Sequence, residues 1–110
     1  MRTYNVKIMD DALDDMLTIR DYIKYTLKEP RIADEHINAF LEGIDNLKDT
    51  ANIYELLDES IIGKDKIRKI NVKNYMIFYV VDEDNCIVQV IAAFYSMSNW
   101  QTKIKKRATN

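Results

Sequence analysis

Apolar residues in this chain recur at a helical period from Ala12 to Leu47 and gather into short β-branched and aromatic runs from Ile67 to Tyr95. That switch confines the chain to folds whose helices and strands come in separate blocks and pack as separate layers. In the first block Ala12, Met16, Ile19 and Ile23 are spaced by four, three and four residues, and Leu13, Leu17 and Leu27 widen the apolar face. One helix with a core-facing stripe follows. Asp10 or Asp11 can cap its start through a carboxylate that accepts orphan backbone N–H groups, and Asp14 and Asp15 suit the positive end of the helix dipole. Pro30 interrupts the pattern and fits the first turn of a second helix, where its missing N–H costs nothing. There Ala33, Ile37, Phe40, Ile44 and Leu47 repeat at four, three, four and three until the stretch Asp49-Thr50-Ala51-Asn52. Two apolar-faced helices on a short link form an antiparallel hairpin.

Residues 4–9 alternate, with Tyr4, Val6 and Ile8 on one side, and read as a first strand. Ile67–Val72, Tyr75–Asp82 and Ile87–Tyr95 are rich in β-branched and aromatic residues and are parted by a Lys-Asn break and an Asp-Glu-Asp-Asn turn, which predicts an antiparallel meander. The fold class is therefore α+β: an N-terminal strand, then a helix hairpin packed on one face of an antiparallel sheet of about four strands. The other face of the sheet is left for a partner. Gly63 marks a turn, and Ile53, Leu56 and Leu57 are expected to pack down onto the core. A short helix is expected around residues 99–104, with the basic residues of 101–110 forming a mobile tail. Two glycines and one proline leave little room for a linker, and no repeat or low-complexity segment is present, so residues 1–110 read as one domain.

Composition excludes several classes. The longest apolar run, residues 75–81, is far too short to span a bilayer, and a soluble cytoplasmic protein without membrane association is expected. A single Cys86 allows no internal disulfide and no cysteine-based zinc site, and nothing around it suggests a catalytic thiol. His36, the only histidine, has Ile32, Ala33 and Phe40 at helical spacing and is read as a core-bordering residue. There is no glycine-rich phosphate loop, no paired-cysteine motif and no nucleophile elbow, so no metal and no cofactor are expected.

The net charge of -2 hides an asymmetry. Residues 1–63 carry seven Lys/Arg against fourteen Asp/Glu, whereas residues 64–110 carry nine against four. A local positive field attracts phosphates or carboxylates whatever the total charge, so the C-terminal half is expected to meet an anionic partner. Lys64, Lys66, Arg68, Lys69 and Lys73 can each contact a phosphate, and Tyr75, Tyr79, Tyr95 and Trp100 can either stack on bases or pack internally. Of these, Lys64, Lys66, Lys69, Lys73, Tyr79 and Trp100 are the expected binding residues for nucleic acid or another target. Arg68 stands apart, because alternation gives it Ile70 and Val72 as same-side neighbours. A guanidinium there calls for a binding surface or a carboxylate partner.

Taken in order, a strand, a helix hairpin containing Asp21-Tyr22-Ile23, Ile67-Arg68-Lys69-Ile70 opening the sheet, Asn74-Tyr75-Met76-Ile77-Phe78-Tyr79 and a closing strand before Asn99-Trp100 resemble the RelE/ParE superfamily of bacterial toxins. These are the toxin halves of type II toxin–antitoxin modules, often described as plasmid stabilisation proteins. The resemblance covers residues 4–100 and rests on the order and spacing of short motifs. It implies a cognate antitoxin that lays an extended or helical segment across the sheet or the helix hairpin. It also implies one of two activities: mRNA cleavage on the ribosome, the first reading, or inhibition of DNA gyrase by a protein that is not a nuclease. An inactive protein-binding relative is a third possibility. In the cleaving branch a ribose 2′-hydroxyl attacks its own phosphate without a metal, which requires a base, an acid for the leaving oxygen and a cation for the developing charge. The resemblance assigns Arg68 to the phosphate and Tyr95 to the acid/base position, making these two the catalytic residues. The chain departs from the family pattern after Tyr95, where Met97 and Ser98 stand at positions commonly held by arginine.

Overall fold

The computed structural model describes residues 3–57 and 66–108. Strand β1 (Asn5–Ile8) leads into helix α1 (Asp10–Asp21), which runs on into a single π-helical turn (Tyr22–Thr26) before helix α2 (Pro30–Thr50). Strands β2 (Ile67–Val72), β3 (Tyr75–Asp82) and β4 (Ile87–Tyr95) follow, and helix α3 (Trp100–Ala108) closes the fold. Helix α1 starts at Asp10 behind Met9, with no side-chain cap. Asp10 and Asp11 therefore act as first-turn charges facing the dipole and not as capping residues. The π turn shows in the Leu27 N–H bonding back to the Tyr22 carbonyl, five residues away. Lys28 then takes a left-handed backbone (φ 57°), and Pro30 opens α2.

The sheet order is β1-β4-β3-β2. The meander β2–β3–β4 is antiparallel as its sequence predicts, whereas β1 lies parallel to β4, with Asn5 opposite Ile87 and Ile8 opposite Val90. The sheet is thus mixed, for a simple reason. Two helices return the chain to the end from which β1 began, so β2 repeats the direction of β1, and two hairpin reversals give β4 that direction again. Helix α2 comes close to β2 because Gly43 has no side chain; a Cβ there would lie 3.1 Å from Val72.

Both faces of the sheet are covered, which corrects the expectation of one free face. Under the helix hairpin, Met16, Phe40, Ile44 and Leu47 pack on Ile77, Tyr79, Val88 and Val90. On the opposite face Ile67, Met76, Phe78, Ala92 and Phe94 pack with Leu57 and with Ile104 of α3. Residues 101–108 are accordingly helical and not a free tail, since Ile104 is fully buried. Of the three residues expected to pack after α2, only Leu57 does so; Ile53 and Leu56 are exposed. Gly63 lies outside the described residues. Among the described residues no helix is long and apolar enough to cross a membrane.

One irregularity in β4 decides where its end points. Phe78 pairs with Ala92 while Tyr79 pairs with Val90, so Ile91 is an extra residue. Strict alternation from Val88 and Val90 would carry Ala92 and Phe94 to the helix-hairpin side. The bulge reverses the phase: Ala93 joins the hairpin core, Ala92 and Phe94 join the α3 core, and Tyr95 shares a face with Tyr75.

Candidate functional site

Arg68 lies on β2 opposite Tyr79, at the end of the sheet next to the segment that follows α2. Its Nη1 donates to the Tyr54 carbonyl, and Leu56 forms a single β-bridge to its backbone. Among the described residues its hydrogen-bond partner is therefore a backbone carbonyl. Tyr79 does not serve as a stacking platform. It is 0% exposed, and its hydroxyl donates to the Ala51 carbonyl at 2.7 Å. Burial pushes that hydroxyl up to about 12, a rise that the Arg68 charge opposes and Tyr54 adds to. This corrects the expectation that Tyr79 binds a target: an apolar ring in a closed core offers no face to a base.

Among the described residues, the basic ones on and beside β2 do not share one side. Lys66 and Lys73 are exposed at opposite ends of β2, seven residues apart, which is about 23 Å of strand. Lys69 shares a side with Ile67 and so points to the α3 face, away from Arg68. Lys64 lies outside the described residues. Trp100, half-buried at the start of α3, packs against Phe78 with ring centroids 5.6 Å apart.

Tyr95 occupies another place. It is 45% exposed at the end of β4 and pairs with Tyr75. Along β3 the partners of Arg68 and Tyr95 are four residues apart. With two strand spacings between β2 and β4, the two backbones lie roughly 16 Å from each other. The two residues assigned to one phosphate therefore stand at different ends of the sheet.

What surrounds Tyr95 is an aromatic cluster that sequence reasoning did not assemble. Its ring lies 5.5 Å from Tyr75, which meets His36 edge-on at 5.8 Å and Phe40 at 5.5 Å. The Tyr75 hydroxyl is raised by burial and, less strongly, by the neighbouring Tyr95 and Tyr22 phenols. His36 Nδ1 is 2.9 Å from the Ile32 carbonyl, which can only accept. In the neutral ring Nδ1 thus carries the proton and Nε2 remains an acceptor. Tyr95, Tyr75 and His36 line a groove of about 1160 Å³ between α1 with its π turn on one side and α3 on the other.

The floor of this groove is fastened at the bulge. Beyond Val90, β1 no longer accompanies β4, and side chains take over its bonds. The Ala93 N–H donates to Asp15 at 2.9 Å, and Arg107 donates to the Ile91 carbonyl at 3.1 Å. Asp15 and Arg107 also pair directly, at 2.5 Å, which clasps α1 to α3 across the strand. The only trace of this clasp in the sequence is an aspartate placed to serve the helix dipole and an arginine in a basic tail.

A family model described as the ParE toxin of type II toxin-antitoxin system, parDE, matches residues 6–99. No curated protein matches the chain. Among solved structures, the chromosomal ParDE TA system from P. aeruginosa is similar at a TM-score of 0.68 and 17% identity, covering 84% of this chain and 96% of that one. The toxin-antitoxin complex RelBE2 from Mycobacterium tuberculosis gives 0.61 and 17%, covering 84% and 98%. The archaeal RelE-RelB complex from Pyrococcus horikoshii OT3 gives 0.59 and 16%, covering 86% and 97%. At these identities the structures establish a shared fold.

Proposed function

The chain belongs to the ParE toxin family of type II toxin–antitoxin systems, and from that premise we propose that it is a toxin of the gyrase-inhibiting kind, acting by binding a protein target and neutralised by a cognate antitoxin. The observation that favours this choice over mRNA cleavage is the separation of the Arg68 and Tyr95 backbones, roughly 16 Å by strand geometry. Metal-free cleavage needs its proton-transfer groups and its cation within hydrogen-bond reach of one phosphate, a few ångströms in all. Arg68 is further engaged by the Tyr54 carbonyl, and the cations that share the groove with Tyr95 come from α3 and not from the segment after β4, where Met97 and Ser98 stand. Surface recognition of a protein asks for no such convergence. The similar ParDE and RelBE structures are toxin–antitoxin systems and complexes, which supports an antitoxin as the second partner.

The test is a supercoiling assay with purified DNA gyrase. The expected result is loss of supercoiling as the protein is added, reversed by the antitoxin, with Arg68→Ala and Tyr95→Phe each retaining most of the inhibition. Unimpaired gyrase together with cleavage of ribosome-bound mRNA overturns the proposal.

A further inference from the structure

We propose that the tip of the helix hairpin, where the π turn joins α1 to α2, is the surface that grips the protein target, by setting Tyr25 into an apolar recess with an acidic rim. The inference rests on the reading of the chain as a toxin that acts by binding a protein, and it names the surface that does so.

The tip departs from the helices around it in shape. In an unbroken α-helix Leu27 would follow Ile23 by one turn on the core face. The Leu27 N–H bonds instead to the Tyr22 carbonyl, and past this wider turn Ile23 is 3% but Leu27 51% exposed. Tyr22 and Tyr25 also face solvent, at 52% and 65%. Such π turns are frequent at functional sites, and three large side chains brought out so close together offer apolar surface that a partner would cover.

The tip departs in charge as well. Residues 20–31 hold four Lys/Arg against Asp21 and Glu29, whereas the remainder of residues 1–63 holds three against twelve. Arg20 is bonded to Asp21 at 2.9 Å, and Lys24 lies over the Tyr25 ring, 5.2 Å from its centroid. Lys28 and Arg31 are exposed and make no ion pair among the described residues. A cationic island on an otherwise acidic helix pair selects a partner with acidic groups at that spot and repels it elsewhere. Lys28 adds a conformational argument. It takes φ 57° just past the end of the turn, where glycine is the usual occupant because it has no Cβ to strain. The chain thus keeps an ammonium where the backbone would be easier without one.

The chemistry of the occupant follows. Exposed tyrosine and leucine ringed by cations match a protein-binding hot spot, which is met by an apolar recess bordered by Asp or Glu. Duplex DNA offers phosphates but no recess for Tyr25 and Leu27, so the observations favour a protein. Lys24, Tyr25, Lys28 and Arg31 do not line the groove beside Tyr95, which makes the tip a surface of its own.

The test measures inhibition of purified DNA gyrase and growth arrest on induction side by side. Tyr25→Ser and Lys28→Glu are each expected to raise the half-inhibitory concentration about tenfold. Lys28→Gly relieves the left-handed backbone, so it is expected to melt no lower than wild type and still to inhibit less well, which a merely structural lysine would not produce. Ile53→Ser, at an exposed apolar position after α2, is expected to change neither readout. Undiminished inhibition by Tyr25→Ser and Lys28→Glu overturns the proposal, as does an equal loss in Ile53→Ser. So does retention of the protein on a short bare DNA duplex that Lys28→Glu abolishes, since the tip would then be a nucleic-acid surface. If wild type arrests growth while gyrase is unaffected, the gyrase reading alone fails and the arrest decides the surface: lost in both tip variants it stands, kept in both it is overturned.

Discussion

Tyr79 shows how one side chain can look functional in sequence and be structural in the fold. Its ring sits in the core under the helix hairpin and its hydroxyl meets the Ala51 carbonyl at the end of α2. Tyr79→Phe keeps the ring and leaves that carbonyl without its donor, so a loss of about 1–2 kcal/mol is expected in urea unfolding, with target binding unchanged. A pH dependence follows from the same hydroxyl. Its folded-state pKa is raised from 10.0 to about 12, so the unfolded chain releases the proton first. The stabilisation is fully present below pH 10 and is lost as pH rises toward 12, the unfolded state binding fewer protons in that window. Unfolding followed from pH 9 to 12 should show this extra decline in wild type and lack it in Tyr79→Phe. Tyr95→Phe, by contrast, changes an exposed phenol and is expected to shift stability by less than about 0.5 kcal/mol. Alternating burial cannot be assigned from one strand alone, which is why Tyr79 and Tyr95 were indistinguishable in sequence: both are aromatic residues in β-rich runs, and only the packing of α2 separates them.

At the level of elements, the Asp15–Arg107 clasp joins three of them: α1, the bulge of β4 and α3. The pair is largely shielded, with side chains 16% and 26% exposed, and each member also serves a backbone group that β1 does not reach. Removing either by substitution to alanine leaves a partner unsatisfied and is expected to cost about 2 kcal/mol. The double variant should cost less than the two singles together, with a coupling of at least about 0.5 kcal/mol in a double-mutant cycle. Hydrogen exchange offers a second reading: the Ala93 amide and the amides of α3 should exchange faster in Asp15→Ala. Helices α1 and α2 and the three-stranded meander were legible because each repeats its own period over several turns or residues. The bulge at Ile91 and the π turn at Tyr22–Thr26 were not, since each is one residue out of phase in an otherwise regular pattern. The π turn contributes Tyr22 and Ile23 to one wall of the groove, and the bulge turns Ala93 and Tyr95 to its floor, so the site was hidden where the periodicity failed. Helix α3 was foreseen only in part, because its single fully buried residue, Ile104, stands among five polar or charged neighbours from Gln101 to Lys106.

Across the whole molecule, the excess of positive charge in residues 64–110 is real as a sum but divided in space. Among the described residues, some of it lies along β2 on both faces of the sheet, and the rest lies on α3, where Lys103 and Lys106 flank the groove. A sum over sequence has no coordinates, and the expectation of one cationic surface came from treating it as if it had. The division matters for mechanism, because it leaves the backbones of Arg68 and Tyr95 at separate ends of the sheet, and the proposed choice of a protein target over a phosphodiester rests on that separation. Mapping the 5′ ends of cellular RNA after induction tests that division most directly. Growth arrest with an unchanged 5′-end profile is the expected result for wild type. New cleavage ends that vanish in both Arg68→Ala and Tyr95→Phe would contradict it, by showing that the two residues do work on one phosphate.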